Sequence, residues 1–210
     1  RFARTLIYNG ATFKGQPVQS YVGGRNGRPL DGATPTSYYL RKHIVEATSF
    51  VTGSEMSYQH IFPFFRYAEV LLNYAEALAA ATQNPDFTGM KGEVEYTLSP
   101  REALNAVRAR YNMPGITETD YTAFVKRLRN ERRVELAFEG HRFWDIRRWK
   151  IGAETTKVYG LTITPQNDGS FSYVRSVIQQ RGWDDRMNYY PIADAELFKN
   201  HNLVQNDGWK

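Results

Sequence analysis

Glu131, Glu135 and Glu139 recur every four residues, so on a helix their carboxylates share one stripe, with Arg132 and Arg133 beside them and His141, Arg142, Arg147 and Arg148 just beyond. Three chemistries are open to such a group. Paired carboxylates could act as acid and base on a glycosidic bond, which needs them about 5 to 10 Å apart across an open cleft. Carboxylates with a histidine could hold a metal, but the helical-bundle motif places His three residues after Glu, and His141 follows Glu139 by two. Arginines near Trp144 and Trp149 could hold nucleic acid, and the interspersed acids argue against that. An apolar stripe of Tyr121, Phe124, Val125 and Leu128 runs into the charged one, which places some of these charges in the interior. The favoured reading is therefore a structural ion-pair network of Glu131, Arg132, Glu135, Glu139, Arg142 and Arg148 that locks this helix to the next. On that reading there is no catalytic residue, no metal and no cofactor.

The elements that must position this group are helices. Phe64, Tyr67, Ala68, Leu71, Leu72, Tyr74, Ala75 and Leu78 recur at steps of three and four, predicting a helix from Pro63 to about Ala81, stopped by Asn84-Pro85. Ser99-Pro100-Arg101-Glu102 reads as a capping box with proline in the first turn, opening a helix to about Asn112 that can pair antiparallel with the one before. Thr119 or Asp120 caps the helix that carries the carboxylates, expected to run to Glu139 before Gly140, and a short helix follows from His141 to Trp149. Around these, residues 1 to 40 and 46 to 62 read as loops and short extended pieces, including strands at Thr5 to Tyr8 and Tyr38 to Ile44 and a turn at Asn9-Gly10. Tyr159 to Thr164 and Tyr173 to Ile178 read as a hairpin around Asn167-Asp168-Gly169, and a helical turn is expected at Asp194 to Phe198.

The 210 residues are enough for one compact unit, and near-average apolar and charged fractions, 41% and 23%, exclude a disordered chain or a helical membrane protein. Fourteen Tyr, twelve Phe and four Trp supply flat rings that suit sugar faces, bases or a core alike. From Lys126 to Lys150 nine basic residues meet four acidic ones, an excess equal to the whole net charge of +5. With no cysteine there is neither a disulfide framework nor a thiolate nucleophile. The chain opens in a strand-like run without a leader, and is expected to begin inside a larger protein whose N-terminal region would carry any targeting signal.

The run RNERRVELAFEGHRFWDIRRW from Arg129 to Trp149 resembles the signature segment of the SusD/RagB family. Three further blocks are similar to that family in the same order: FRYAEVLLNYAEA from Phe65 to Ala77, LNAVRAR from Leu104 to Arg110, and Tyr190-Pro191-Ile192 with QNDGW from Gln205 to Trp209. Residues 7 to 15 and 37 to 42 also resemble the stretch before the first helix. The resemblance implies a mainly α fold with tetratricopeptide-like helix pairs, loop-rich regions and short β-hairpins, residues 1–210 being one C-terminal domain of a longer protein. It also implies an outer-membrane lipoprotein, anchored by a lipid on the absent N-terminal part. Such a protein sits over a SusC-like, TonB-dependent barrel and captures glycan without chemistry, with no nucleic-acid partner. A glycoside hydrolase and a docking module without its own ligand are the alternatives. Sugar contacts would come from exposed rings and hydrogen-bonding side chains on loops, where Tyr21, Arg25, Asn26, Tyr58, Trp183 and Asp184 are the candidates.

Overall fold

The computed structural model describes residues 1–209. In chain order the elements are α1 (Phe2–Thr5), β1 (Leu6–Ile7), β2 (Thr12–Phe13), β3 (Gln16–Pro17), β4 (Tyr39–Leu40), α2 (Tyr67–Thr82), β5 (Gly89–Lys91), β6 (Val94–Tyr96), α3 (Pro100–Ala109), α4 (Tyr121–Glu135), α5 (His141–Arg148), β7 (Lys157–Pro165), β8 (Phe171–Gln180) and α6 (Asp194–Lys199), with 3-10 turns at Gly152–Thr155 and Asp185–Asn188. Where length led to an expectation of one compact unit, packing separates two: Arg1 with Ile61–Arg142, and Phe2–His60 with Phe143–Lys210. The mainly helical expectation describes only the first. Over the described residues helix takes 32% and strand 17%, and every named strand belongs to a two-stranded antiparallel pair.

The helical unit is built on α2, α3 and α4. Ala68, Leu72, Ala75 and Ala79 of α2 meet Ala103, Leu104 and Val107 of α3 and Phe124 and Leu128 of α4 in one buried cluster, the alanines letting the backbones approach closely. The ends obey local chemistry. Ser99 and Glu102 form the reciprocal capping box, which also holds the Glu102 carboxyl below its usual range through the bond from the Ser99 backbone N–H. Asp120, rather than Thr119, caps α4 by accepting from the Ala123 amide at 2.7 Å. Three boundaries differ from expectation. The helix that periodicity began at Pro63 starts at Tyr67, leaving Phe64 93% exposed, so the apolar run before it is not part of the buried stripe. Helix α3 ends at Ala109, short of the expected Asn112, whereas α2 closes at Gln83 in the left-handed conformation, beside the stop expected at Asn84-Pro85. Helix α4 closes at Glu135, and Phe138 and Gly140 take positive φ of 64° and 82°, so Glu139 stands in a turn. A hairpin, β5 with β6 across Gly92-Glu93, lies between α2 and α3.

Glu131, Glu135 and Glu139 are buried, and guanidiniums from distant chain positions reach them. Arg66 donates from Nη1 to Glu135 Oε1 at 2.7 Å and from Nε to Glu139 Oε2 at 2.8 Å, and its Nη2 bonds the Glu135 carbonyl at 2.7 Å. Arg108 holds Glu131 at 2.7 Å, and Arg1 bridges Glu131 and Glu135. Burial opposes the charge of Arg66 and Arg1, but the bonds to these carboxylates outweigh it and raise both pKa values above the ordinary arginine value.

The second unit is strand and loop. β7 and β8 pair along their whole length from Lys157↔Gln180 to Pro165↔Phe171, with one irregularity at Val158/Tyr159. The free side of β7 is closed by loops: the Val22 amide donates to the Ile163 carbonyl at 2.8 Å, and Ser37 Oγ to the Leu161 carbonyl at 2.7 Å. β1 pairs with β4 instead of turning at Asn9-Gly10 into a hairpin with the next strand; β2 and β3 turn at Lys14-Gly15, and each of these strands is only two residues long. Gly152 lies under the indole of Trp183, where an added Cβ would come within 1.9 Å of Cε2.

Two outcomes follow for stability. Arg66→Met strips Glu135 and Glu139 of their shared guanidinium and should lower unfolding free energy by about 3 to 5 kcal/mol, seen as a fall in the urea midpoint. Arg66→Lys should recover little, because an ammonium cannot reproduce the fork. A loss well under 1 kcal/mol would mean that water resolvates both carboxylates. Gly152→Ala should displace Trp183 and cost about 1 to 3 kcal/mol, read by near-UV circular dichroism and thermal melting; an unchanged indole signal would contradict the packing described.

Candidate functional site

The carboxylate stripe offers little to a reacting substrate. Each of its acids is met by at least one guanidinium, so neither the open cleft nor the arginine-free carboxyl that hydrolysis requires is found there. Arg132 donates to Asn73 Oδ1 at 2.5 Å and lies 3.9 Å from Glu76, Arg148 pairs with Asp145 of its own helix at 2.9 Å, and Arg142 is half-buried at the start of α5. His141 stands 3.4 Å from Glu69 rather than among the three stripe acids. Among the described residues, no helix is long and apolar enough to cross a membrane.

The six loop candidates all fall in the strand-and-loop unit, in different surroundings. Tyr21 packs on Phe171, ring centroids 5.2 Å apart, and so belongs to the hairpin. Asn26 accepts the Gln19 amide on Oδ1 at 3.0 Å and the Tyr39 hydroxyl on its carbonyl at 2.6 Å, shaping its own loop. It also borders a cavity of about 390 Å³ whose walls are otherwise apolar, among them Ile7, Val18 and Leu40, with only Tyr39 supplying another polar group. Arg25 is exposed and bonded to the Pro17 carbonyl, and Tyr58 is exposed in an irregular stretch. Trp183 is half-buried over Gly152, which makes it packing before anything else.

Asp184 stands in a different setting. It accepts the Arg186 amide at 3.0 Å, capping the 3-10 turn Asp185–Asn188, and lines a polar cleft of about 410 Å³ with Asp185, Asn188, Tyr189, Asp207 and Lys150. This volume lies within the usual range for small-ligand sites. The lining supplies carboxylate acceptors, amide and ammonium donors, the guanidinium of Arg186, 3.7 Å from Asp184, and one phenol. Asn188 donates from Nδ2 to the Asp185 carbonyl at 2.8 Å, while its Oδ1 is buried with no hydrogen-bond partner.

The cleft is assembled by the chain's last residues. Gln205 bonds both the amide and the carbonyl of Ile192 at 2.8 Å, and Asn206 Nδ2 donates to the Tyr190 carbonyl at 2.6 Å. Gly208, at φ 78°, turns the chain where any side chain would strike Arg186, and Trp209 Nε1 then donates to the Arg186 and Tyr189 carbonyls at 3.0 and 3.1 Å. Of the cleft residues, loop position in the sequence had pointed to Asp184 alone. Nothing local in the sequence brings 150, 184–189 and 207 together.

Residues 1–209 match the SusD family. SusD-like protein P2 of Formosa agariphila is 33% identical over 146 residues, 68% of this chain and 24% of that protein. A crystallographic SusD-like protein of Bacteroides fragilis superposes with a TM-score of 0.75 at 28% identity, covering 99% of this chain and 38% of that one. A SusD-like carbohydrate binding protein of the same organism gives 0.65 at 29% identity, covering 95% and 40%. The chain therefore spans about a quarter of the curated relative and about two-fifths of these solved ones. Matched through its described length and sharing its fold with two solved relatives, the chain belongs to the SusD family.

Proposed function

We propose that this chain contributes a glycan-binding surface to an outer-membrane nutrient-uptake complex and that it binds without chemistry. The cleft at Asp184–Tyr189 carries the reading, because its lining matches what sugars present. Hydroxyls both donate and accept, so they are held by carboxylates, amides and ammoniums together rather than by one sign of charge. Asp184, Asp185 and Asp207 accept, Lys150 donates, and Tyr189 offers a ring face to a pyranose. One SusD-like relative is described as carbohydrate binding, which supports the same reading. Family membership further supports a lipid-anchored protein seated on a SusC-like, TonB-dependent barrel. Capture rather than hydrolysis is supported by the guanidiniums that occupy Glu131, Glu135 and Glu139.

Affinity electrophoresis in soluble xyloglucan, arabinoxylan, laminarin, galactomannan and alginate, with the chain alone and within a protein of full family length, tests the reading. Retardation by at least one polysaccharide is expected. Asp184→Ala should weaken it by about 10-fold to 100-fold, the range for losing a hydrogen bond to a charged group, while Tyr58→Ala leaves it unchanged. Retardation that survives Asp184→Ala and Tyr189→Ala together would place the sugar elsewhere, and no retardation of either form by any polysaccharide would argue against glycan capture.

A further inference from the structure

The cleft's main wall is a single loop, residues 183–190, and its two end residues are held by the same side chain. The Arg147 guanidinium lies 3.6 Å from the ring centroid of Phe143, 5.4 Å from that of Trp183 and 5.9 Å from that of Tyr190. Its Nη1 donates to the Phe143 carbonyl at 2.9 Å, whereas Nε is buried with no hydrogen-bond partner, so its hold on the loop is through ring faces. Asp184 and Tyr189, one step inside each end, are both extended. Successive side chains of extended backbone point to opposite sides, so Trp183 and Tyr190 turn toward Arg147 while Asp184 and Tyr189 turn toward the cleft. The middle of the loop has its own tie, the two bonds from the Trp209 indole, with Arg186 stacked 4.8 Å from that ring.

We propose that Arg147 and Trp209 are the positioning residues of the ligand loop: a guanidinium of the signature helix α5 clasps its ends and the C-terminal indole clasps its centre, so the cleft is shaped before a glycan arrives. The clasp itself rests on geometry alone; that the loop is a glycan loop rests on the function proposed above. Sugars bind weakly because water competes for each hydroxyl, and ordering a loop at the moment of binding would consume much of that small gain. A loop clasped in advance avoids this loss. The arrangement also gives the first arginine of the Asp145-Ile-Arg-Arg-Trp149 run a role distinct from that of Arg148, which pairs with Asp145.

Amide hydrogen exchange on the full chain reads the clasp without any ligand. In Arg147→Met, exchange of residues 184–190 should rise by about tenfold or more, the equivalent of losing its ring contacts, while the β7–β8 hairpin keeps its protection. Trypsin should then cut faster after Arg186. Arg147→Lys, which keeps a cation over the rings, should recover part of the protection. Trp209→Phe, which keeps a ring and loses both indole bonds, should loosen the same segment and supplies the test if Arg147→Met does not fold. Unchanged exchange of 184–190 in both Arg147→Met and Trp209→Phe overturns the clasp. The second readout is retardation by whichever of the five polysaccharides retards the wild type, expected to weaken about tenfold in step with exchange. A loosened loop with unchanged retardation overturns the claim that the clasp serves glycan binding. If none of the five retards the wild type, the functional reading fails, and the exchange result still decides whether the clasp exists.

Discussion

Glu131, Glu135 and Glu139 are each more than nine-tenths buried, and carboxylates so placed are tolerable only if cations are brought to them. Arginines beside α2, within α3 and at Arg1 answer that demand. Arg66 enters from the residue before α2, where no side-chain cap bond closes the helix start, and it bonds both Glu135 and Glu139; Arg108 comes from the last turn of α3. The unit therefore combines two kinds of constraint. An alanine-rich apolar seam sets how closely α2, α3 and α4 approach, and the ion pairs set which residues of α2 and α3 stand opposite which residues of α4. Apolar packing alone tolerates sliding between similar surfaces, whereas a forked guanidinium between two acids does not.

The legible part of this unit was what neighbours in sequence determine. The capping box at Ser99, the cap at Asp120 and the apolar periodicity of α3 involve residues within one or two turns, and a single sequence displays them. The end of α4 was misjudged because Glu139 completes a spacing of four that helical continuation would explain, yet the chain had already turned at Phe138. Spacing reveals that carboxylates share a stripe. It cannot reveal which distant cation reaches them, and Arg1, Arg66 and Arg108 had no local mark that set them apart from the chain's other arginines. The stretch before α2 misled for the opposite reason, since Phe64 fits the apolar period and lies outside the helix.

In the strand-and-loop unit the long hairpin was visible in its turn residues, because Asn167-Asp168-Gly169 dictates the reversal and Ser170 is bonded back to Asp168. The short strands β1 and β4 lie within the extended pieces expected at Thr5 to Tyr8 and Tyr38 to Ile44, but their pairing was not legible, because Leu6↔Leu40 joins residues more than thirty positions apart. Among the candidate contacts, sequence alone does not separate rings that pack from rings that face solvent: Tyr21 packs against Phe171 and Trp183 over Gly152. Asp184 caps a turn through one oxygen and lines the polar cleft.

The two C-terminal blocks that carry the family resemblance gain a physical meaning from this geometry. Tyr190-Pro191-Ile192 and Gln205-Asn206-Asp207-Gly208-Trp209 lie well apart in sequence, yet Gln205 pairs with Ile192, Asn206 with Tyr190 and Trp209 with Tyr189. Side-chain amides here do the work that a strand ladder would do elsewhere, without requiring extended backbone on both sides. Gly208 is what lets the indole fold back, since a Cβ there would meet Arg186 at 2.8 Å on a backbone already at positive φ. The same residues that close the chain onto itself thereby bring Asp207 into the lining of the cleft with Asp184 and Asp185. Closure and cleft are one construction: a change that freed the end of the chain would also remove one of the acceptors on which recognition of a hydroxylated ligand would depend.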